Sequence, residues 1–249
     1  MRDIPPAFLI LLKRKDFKSP KDLKSDAVKN INLFYNIRMF FKNRKQAGQL
    51  LAEKLGKYKN CKNCIVLGLP RGGAITGYEI AKKLKLPFNI LVVRKIGAPM
   101  NAEYAIGAIS ETGIVVWSEK EKVLVDLYQK EIQAVVQYEK KRIEKYQANF
   151  RQYKKFPQLK NKVVILADDG LATGLSMRAA ILSCQKENPQ KIVSAVPVAA
   201  KDSVEVIQQM GVELIGLNIT ENFMAVGQFY QDFKQVEDEE VEKLLKSIR

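Results

Sequence analysis

Apolar residues gather along this chain in short, nearly continuous runs separated by longer stretches with a helical stripe. Cys64 to Leu69, Phe88 to Val93, Val163 to Ala167, Ile192 to Val198 and Leu214 to Leu217 form five such runs. They are too short for helices and do not alternate between apolar and polar positions, so they fit strands buried on both faces. Between them the period changes. Arg44 to Leu55 places Ala47, Leu50, Leu51 and Leu55 at helical spacing, and helical stretches run to Leu84 after the first strand, from about Leu175 to Gln185, and from Asp202 to Met210. Strands of this kind alternating with helices predict an α/β domain, a doubly wound parallel sheet covered on both sides.

The rhythm breaks between the second and third strands. Ala105 to Ile109 and Ile114 to Trp117 flank Glu111-Thr112-Gly113 and predict a hairpin, and the stretch from Glu119 to about Lys155 reads as a charged helical insertion. Residues 119–160 hold eleven Lys/Arg against six Asp/Glu, a face most simply read as solvated, with an RNA-contacting surface as the alternative. Residues 1–38 differ from the rest. They contain Pro5, Pro6 and Pro20, no glycine, and nine Lys/Arg against four Asp. They are expected to be an N-terminal extension, disordered or not native, ahead of a domain spanning 39–249.

Composition narrows the chemistry. The 249 residues include no histidine, which removes Ser-His-Asp and Cys-His pairs, HExxH zinc sites and any imidazole proton shuttle. Forty-two Lys+Arg against 27 Asp+Glu give a net charge of +15, suited to an anionic partner such as a phosphorylated metabolite, nucleic acid or a membrane surface. The apolar run Ile4 to Leu12 is far below the roughly 20 residues of a membrane span. Three cysteines, Cys61, Cys64 and Cys184, are too few for a disulfide framework, so a cytoplasmic location is expected. Cys61-Lys62-Asn63-Cys64 has the spacing of half a zinc site or a redox pair, but no second ligand pair exists and it reads as incidental.

Candidate chemistry lies in three segments. Val163 to Met177, VVILADDGLATGLSM, delivers two adjacent carboxylates, Asp168 and Asp169, at a strand end, then a loop of small residues that opens a helix. Backbone N–H groups of such a loop converge on a phosphate, with Thr173 and Ser176 as hydroxyl donors. The acids cannot face that phosphate, so sugar hydroxyls or a nearby metal ion are their natural ligands. Leu67 to Ala74, LGLPRGGA, follows the first strand, with Gly72 and Gly73 allowing close approach and Arg71 offering a planar fork to phosphate oxygens. In Val92 to Ile109, VVRKIGAPMNAEYAIGAI, Arg94 and Lys95 end the second strand on this reading.

These segments, in this order, resemble the type I phosphoribosyltransferases, in particular a branch of predicted phosphoribosyltransferases with RGG, RK-GAP-E and DDG-ATG-S motifs. The resemblance covers roughly Met39 to Leu245. It departs at Met100 and Ala102, where Gly and Pro are expected, and at Ala167 and Leu175 inside the signature. The resemblance implies transfer of the ribosyl 5-phosphate unit from phosphoribosyl pyrophosphate to a nitrogenous base, with magnesium and release of pyrophosphate. By position, Asp168 and Asp169 take the ribose and, through its hydroxyls or water, the metal. Gly170, Leu171, Ala172, Thr173, Gly174, Leu175 and Ser176 take the 5-phosphate. Arg71, Gly72, Gly73, Arg94 and Lys95 meet the pyrophosphate, and Gly97 to Glu103 form a mobile loop in which Glu103 is an acid-base candidate. Asn222 to Phe233 resembles the hood of hypoxanthine-guanine enzymes, with Phe223 and then Tyr230 as the platform for the base and Asp232 as a hood carboxylate. Ala172 stands where 6-oxopurine enzymes carry Asp, an argument against hypoxanthine and guanine as acceptors. The alternative is a catalytically inactive regulator that senses phosphoribosyl pyrophosphate and binds nucleic acid through its basic surface. A generic nucleotide or sugar-phosphate binding protein is a third class, and a homo-oligomer is a further expectation left open.

Overall fold

The computed structural model describes residues 40–152 and 155–247. The expectation for residues 1–38 lies outside the described residues. Five parallel strands form the central sheet: β1 (Cys64–Gly68), β2 (Phe88–Ile90), β6 (Val163–Ala167), β7 (Lys191–Ala200) and β8 (Glu213–Thr220), in the order β2-β1-β6-β7-β8. β1 is buried at every position, as a strand covered on both faces must be. Alternate side chains feed two cores. Cys64, Val66, Ile165, Ala167, Val193 and Ala195 join one, while Ile65, Leu67, Val164, Leu166 and Ile192 join the other.

Helices pack on this sheet much as the apolar stripes require. α1 (Arg44–Lys54) begins at Asn43, whose side chain accepts a hydrogen bond from the Gln46 amide, and buries Ala47, Gly48, Leu51 and Ala52. α2 (Gly72–Leu84) joins β1 to β2 and ends on Lys85 in the left-handed conformation. α5 (Leu175–Gln185) joins β6 to β7, and α6 (Lys201–Gln209) joins β7 to β8. α7 (Asp238–Ser247) closes the described chain, with three acids in its first turn where the helix dipole favours them.

The expected second strand, Phe88 to Val93, is two strands. β2 stops at Ile90, and β3 (Val93–Ala98) belongs to a separate antiparallel sheet with β4 (Asn101–Ser110) and β5 (Val115–Trp117). Leu91 and Val92, which link the two, are buried, so the apolar run continues although the hydrogen-bonded sheet does not. The expected hairpin is β4 and β5, with Ala108 opposite Val116. The helical insertion is also present as α3 (Lys122–Leu127) and α4 (Gln129–Arg151), separated at Tyr128. α4 buries Ile132, Ile143 and Phe150 and packs chiefly against β3 and β4. Cys61 and Cys64 are disulfide-bonded to each other at the start of β1, so they are neither a zinc half-site nor free thiols. Among the described residues no helix is long and apolar enough to cross a membrane.

Candidate functional site

β1 and β6 are neighbours at the point where the strand order reverses direction, and the loops leaving their carboxyl ends meet there. Open α/β sheets bind ligands at such a switch point. The loops touch through glycine. A Cβ on Gly73 would lie 2.7 Å from the Ala167 carbonyl oxygen and the Asp168 Cα, and one on Gly72 would collide with the Asp169 carboxylate. The peptide between Pro70 and Arg71 is cis. A cavity of about 820 Å³ opens beside them, within the range of small-molecule sites, about 300–1,000 Å³.

The loop of residues 170–174 is held from behind. Leu171 donates to the Val198 carbonyl and accepts from the Ala200 amide, each at 2.9 Å, so this part of the loop lies beside β7 like an added strand. Ser203 Oγ, at the start of α6, donates to the Ala172 carbonyl at 2.5 Å. Gly174 then turns with φ +74° into α5, a conformation that favours glycine. The first intrahelical bond runs from the Arg178 amide to Gly174 at 2.8 Å, leaving the amides of Leu175, Ser176 and Met177 without intrahelical partners at the cavity. Ala172 and Thr173 are exposed there.

The two acids differ. Asp168 accepts from the Asp169 amide at 2.8 Å and has no ion-pair partner among the described residues. Burial first, and the neighbouring Asp169 charge second, push its pKa well above the ordinary carboxylate value, against the opposing effects of that amide, Lys95 and Arg44. Asp169 is instead fixed. Arg44 Nε lies 2.6 Å from its Oδ2, with side chains only 10% and 16% exposed. Arg44 also donates to the Lys234 carbonyl at 2.8 Å and stacks its guanidinium 3.7 Å from the Phe233 ring centroid.

Most residues expected from the sequence converge on the cavity. Arg71, Gly72, Arg94, Lys95, Glu103 and Asp168 through Ser176 line it, while Gly73 packs just behind. Several differ in setting from expectation. Arg94 and Lys95 do not end a strand of the parallel sheet but lie in β3. Arg94 Nε is 2.9 Å from Glu139 of α4, so its charge is already engaged, whereas Lys95 is exposed. Gly97 to Glu103 is not an open loop but the β3–β4 hairpin, with Gly97 opposite Ala105 and Ala98 opposite Asn101. Arg71 reaches Glu237 at 3.4 Å and Asp238 at 3.8 Å near the start of α7.

The platform residues do not line the cavity. Phe223 packs on Phe229, 5.3 Å between ring centroids. Tyr230 is buried against Phe41 and Phe233, and its hydroxyl donates to the Asp169 carbonyl at 2.6 Å. Burial and then the charge of Asp169 push that phenol far above its usual pKa, so it remains a donor. The 222–233 segment therefore braces the acid pair from behind and reaches the cavity only through Val226; Asp232 is exposed and accepts from the Lys234 amide. The opposite wall comes from α4, through Val135, Tyr138, Glu139 and Arg142. Sequence reasoning missed this wall, Ser203 and Arg44. For Arg44 a signal existed, since a cation in the first turn of a helix opposes the dipole and needs another reason to be there.

Comparison with known proteins places these features in context. A family model described as "Phosphoribosyl transferase domain" matches residues 39–234. Two Mycobacterium tuberculosis proteins, from strains CDC 1551 and H37Rv, carry a provisional phosphoribosyl transferase name and are each 35% identical over 201 residues, 81% of this chain. The match spans 45% of those relatives' length, so this chain corresponds to somewhat under half of each. The crystal structure of a Thermus thermophilus protein is 37% identical with a TM-score of 0.70, covering 84% of this chain and 99% of that one.

Proposed function

Because the chain belongs to the phosphoribosyl transferase domain family, we propose that the cavity binds phosphoribosyl pyrophosphate and passes its ribosyl 5-phosphate unit to a ring nitrogen of a base. The observation that carries this reading is the meeting of two anion cradles, residues 170–176 and 70–73, with Asp168 between them at one sheet edge. One cradle suits the 5-phosphate at the amino end of α5, and the other suits the pyrophosphate at the turn into α2.

The reaction breaks the anomeric carbon–oxygen bond to pyrophosphate and forms a carbon–nitrogen bond to the base, whose ring proton is lost. The ring becomes oxocarbenium-like on the way, so the useful effects are neutralising the departing pyrophosphate and holding the nucleophile in line. Arg71 and Lys95 serve the first. Asp168 accepts from the ribose hydroxyls, while Asp169, pinned by Arg44 and Tyr230, keeps the backbone of the pair in place. Glu103 is the carboxylate available to take the proton.

Magnesium fits this donor set. Asp168 is an oxygen ligand with no paired cation, and among the described residues no group of three or more His, Cys, Asp or Glu is arranged to hold a metal ion alone. The ion would therefore rest on Asp168 through ribose hydroxyls or water and on the donor's own phosphate oxygens, adding positive charge beside the leaving group.

The test is pyrophosphate release from magnesium phosphoribosyl pyrophosphate over a panel of purine and pyrimidine bases, with calorimetric titration of the donor alone. Release with at least one base supports the proposal. Absence of donor binding at millimolar concentration overturns it, and tight binding without turnover of any base returns the site to a sensing role.

A further inference from the structure

One wall of the cavity has no task in that reading. α4 offers it Val135, Tyr138, Glu139 and Arg142, spaced i, i+3, i+4 and i+7 along one helical stripe. Glu139 is buried, 7% exposed, and sits between two guanidinium groups, Arg94 Nε at 2.9 Å and Arg142 Nη1 at 3.2 Å. One carboxylate serves two cations, so the cluster keeps a surplus positive charge.

Arg142 is the cation placed to use it. Its side chain is 40% exposed, against 23% for Arg94, and the hydrogen bond described for it engages Nη1 alone, leaving Nε and Nη2 for a ligand. Its guanidinium lies 5.6 Å from the centroid of the Tyr138 ring. Tyr138 is 60% exposed, and among the described residues no hydrogen bond engages its hydroxyl. An exposed aromatic beside a partly free guanidinium offers one flat apolar face and one anion-binding fork. A neutral ring would satisfy the first and leave the second unmatched.

We propose that the Val135–Tyr138–Arg142 stripe of α4 is the acceptor subsite, and that it selects a flat heteroaromatic ring bearing a carboxylate over its uncharged analogue. This rests on the phosphoribosyl-transfer reading. The alternative use of Arg142 is as a further contact to the donor's pyrophosphate, but the donor's anionic ends already have the backbone cradles, Arg71 and Lys95. The segment expected to receive the base, residues 222–233, turns its aromatic rings into the core.

Matched pairs of probes isolate the charge: nicotinate against nicotinamide, and orotate against uracil. Donor binding is measured first by titrating magnesium phosphoribosyl pyrophosphate, and its absence sinks the broader reading rather than this one. Each probe is then titrated into the protein saturated with donor, and pyrophosphate release is followed in parallel. At least one carboxylate probe should bind tenfold or more tightly than its neutral partner. Arg142→Gln should remove that preference, Arg142→Lys should restore part of it, and Tyr138→Leu should weaken both members of the pair, with donor affinity within twofold in every variant. Equal or better binding of the neutral members, no binding of either carboxylate, or a loss of donor affinity in Arg142→Gln matching the loss of acceptor affinity would each overturn the proposal.

Discussion

Arg44→Met keeps an unbranched stem and removes the guanidinium, leaving the Asp169 carboxylate without its cation. The substitution deletes the 2.6 Å pair with Asp169, the 2.8 Å bond to the Lys234 carbonyl and the stack on Phe233. Removing one partner of a fully buried pair costs about 3–5 kcal/mol, because the remaining charge stays uncompensated. With both side chains mostly shielded, 10% and 16% exposed, little of this is lost to solvent screening, and about 3 kcal/mol is expected here. The missing hydrogen bond adds about 1 kcal/mol. A domain of this size loses about 2–4 °C of Tm per kcal/mol, so melting should fall by about 8–16 °C. Asp169→Asn alone should cost about 2 kcal/mol, and the double variant should fall short of the summed losses by about 1.5 kcal/mol, since the second change removes what the first left stranded. Urea unfolding of the four proteins, followed by circular dichroism at one pH and salt concentration, measures all three quantities. Losses below about 1 kcal/mol for Arg44→Met, or additive effects in the double variant, would refute the claim that this pair holds the acid turn in place.

Because the folded state raises the Asp168 pKa, it holds that proton more tightly than the unfolded chain, so this residue lowers stability as pH rises from the ordinary value of 3.8 through the raised one. Asp168→Asn should therefore melt higher than the parent protein at alkaline pH, with the gap closing below about pH 4, while donor affinity falls tenfold or more by calorimetry. A gap independent of pH would contradict the assignment. Gly174→Ala meets nothing closer than 3.6 Å, so its cost is conformational, about 1–2 kcal/mol, and phosphate affinity should drop with it. Hypoxanthine and guanine should be poor acceptors in pyrophosphate-release assays, since Ala172 puts no carboxylate on the 170–176 loop and leaves proton handling to Glu103 on β4 alone, and Ala172→Asp should still bind donor because its carbonyl remains tied to Ser203.

The sheet was legible because burial on both faces leaves a mostly apolar run, as in β1, β2, β6 and β7, while the edge strand β8 is only half-buried and showed as the shortest run, Leu214 to Leu217. The same logic failed at Phe88 to Val93, where Leu91 and Val92 are as buried as their neighbours but lie between two sheets. Hydropathy reports burial and is blind to which strand a backbone pairs with. The 168–176 loop stood out as a cavity wall because its pattern is local, an acid pair and small residues within nine positions. Arg44 was legible only as a cation misplaced in a helix's first turn; its partner lies 125 residues away, and nothing in the sequence names it. The aromatics of residues 222–233 misled for a related reason. An aromatic that packs a core and one that faces a ligand look alike in sequence, and only the fold separates Tyr230, turned inward, from Tyr138, turned toward the cavity.

The cavity is built from two kinds of material, and they differ in how freely they can drift. On the proposed reading the loops at the sheet edge would bind through main-chain amides and glycine contacts, so most side-chain changes around them would leave the binding groups unaltered, while Gly72 and Gly73 have no room for a side chain. The α4 wall is the reverse: side chains on an insertion that contributes no strand to the parallel sheet. A saturation library selected on donor binding and, separately, on acceptor use should split accordingly, with narrow tolerance at positions 72, 73 and 174 in the first screen and reprogrammable preference at 135, 138 and 142 in the second. If the proposed reading holds, such a layout would let a lineage change which acceptor it serves while leaving its donor site intact.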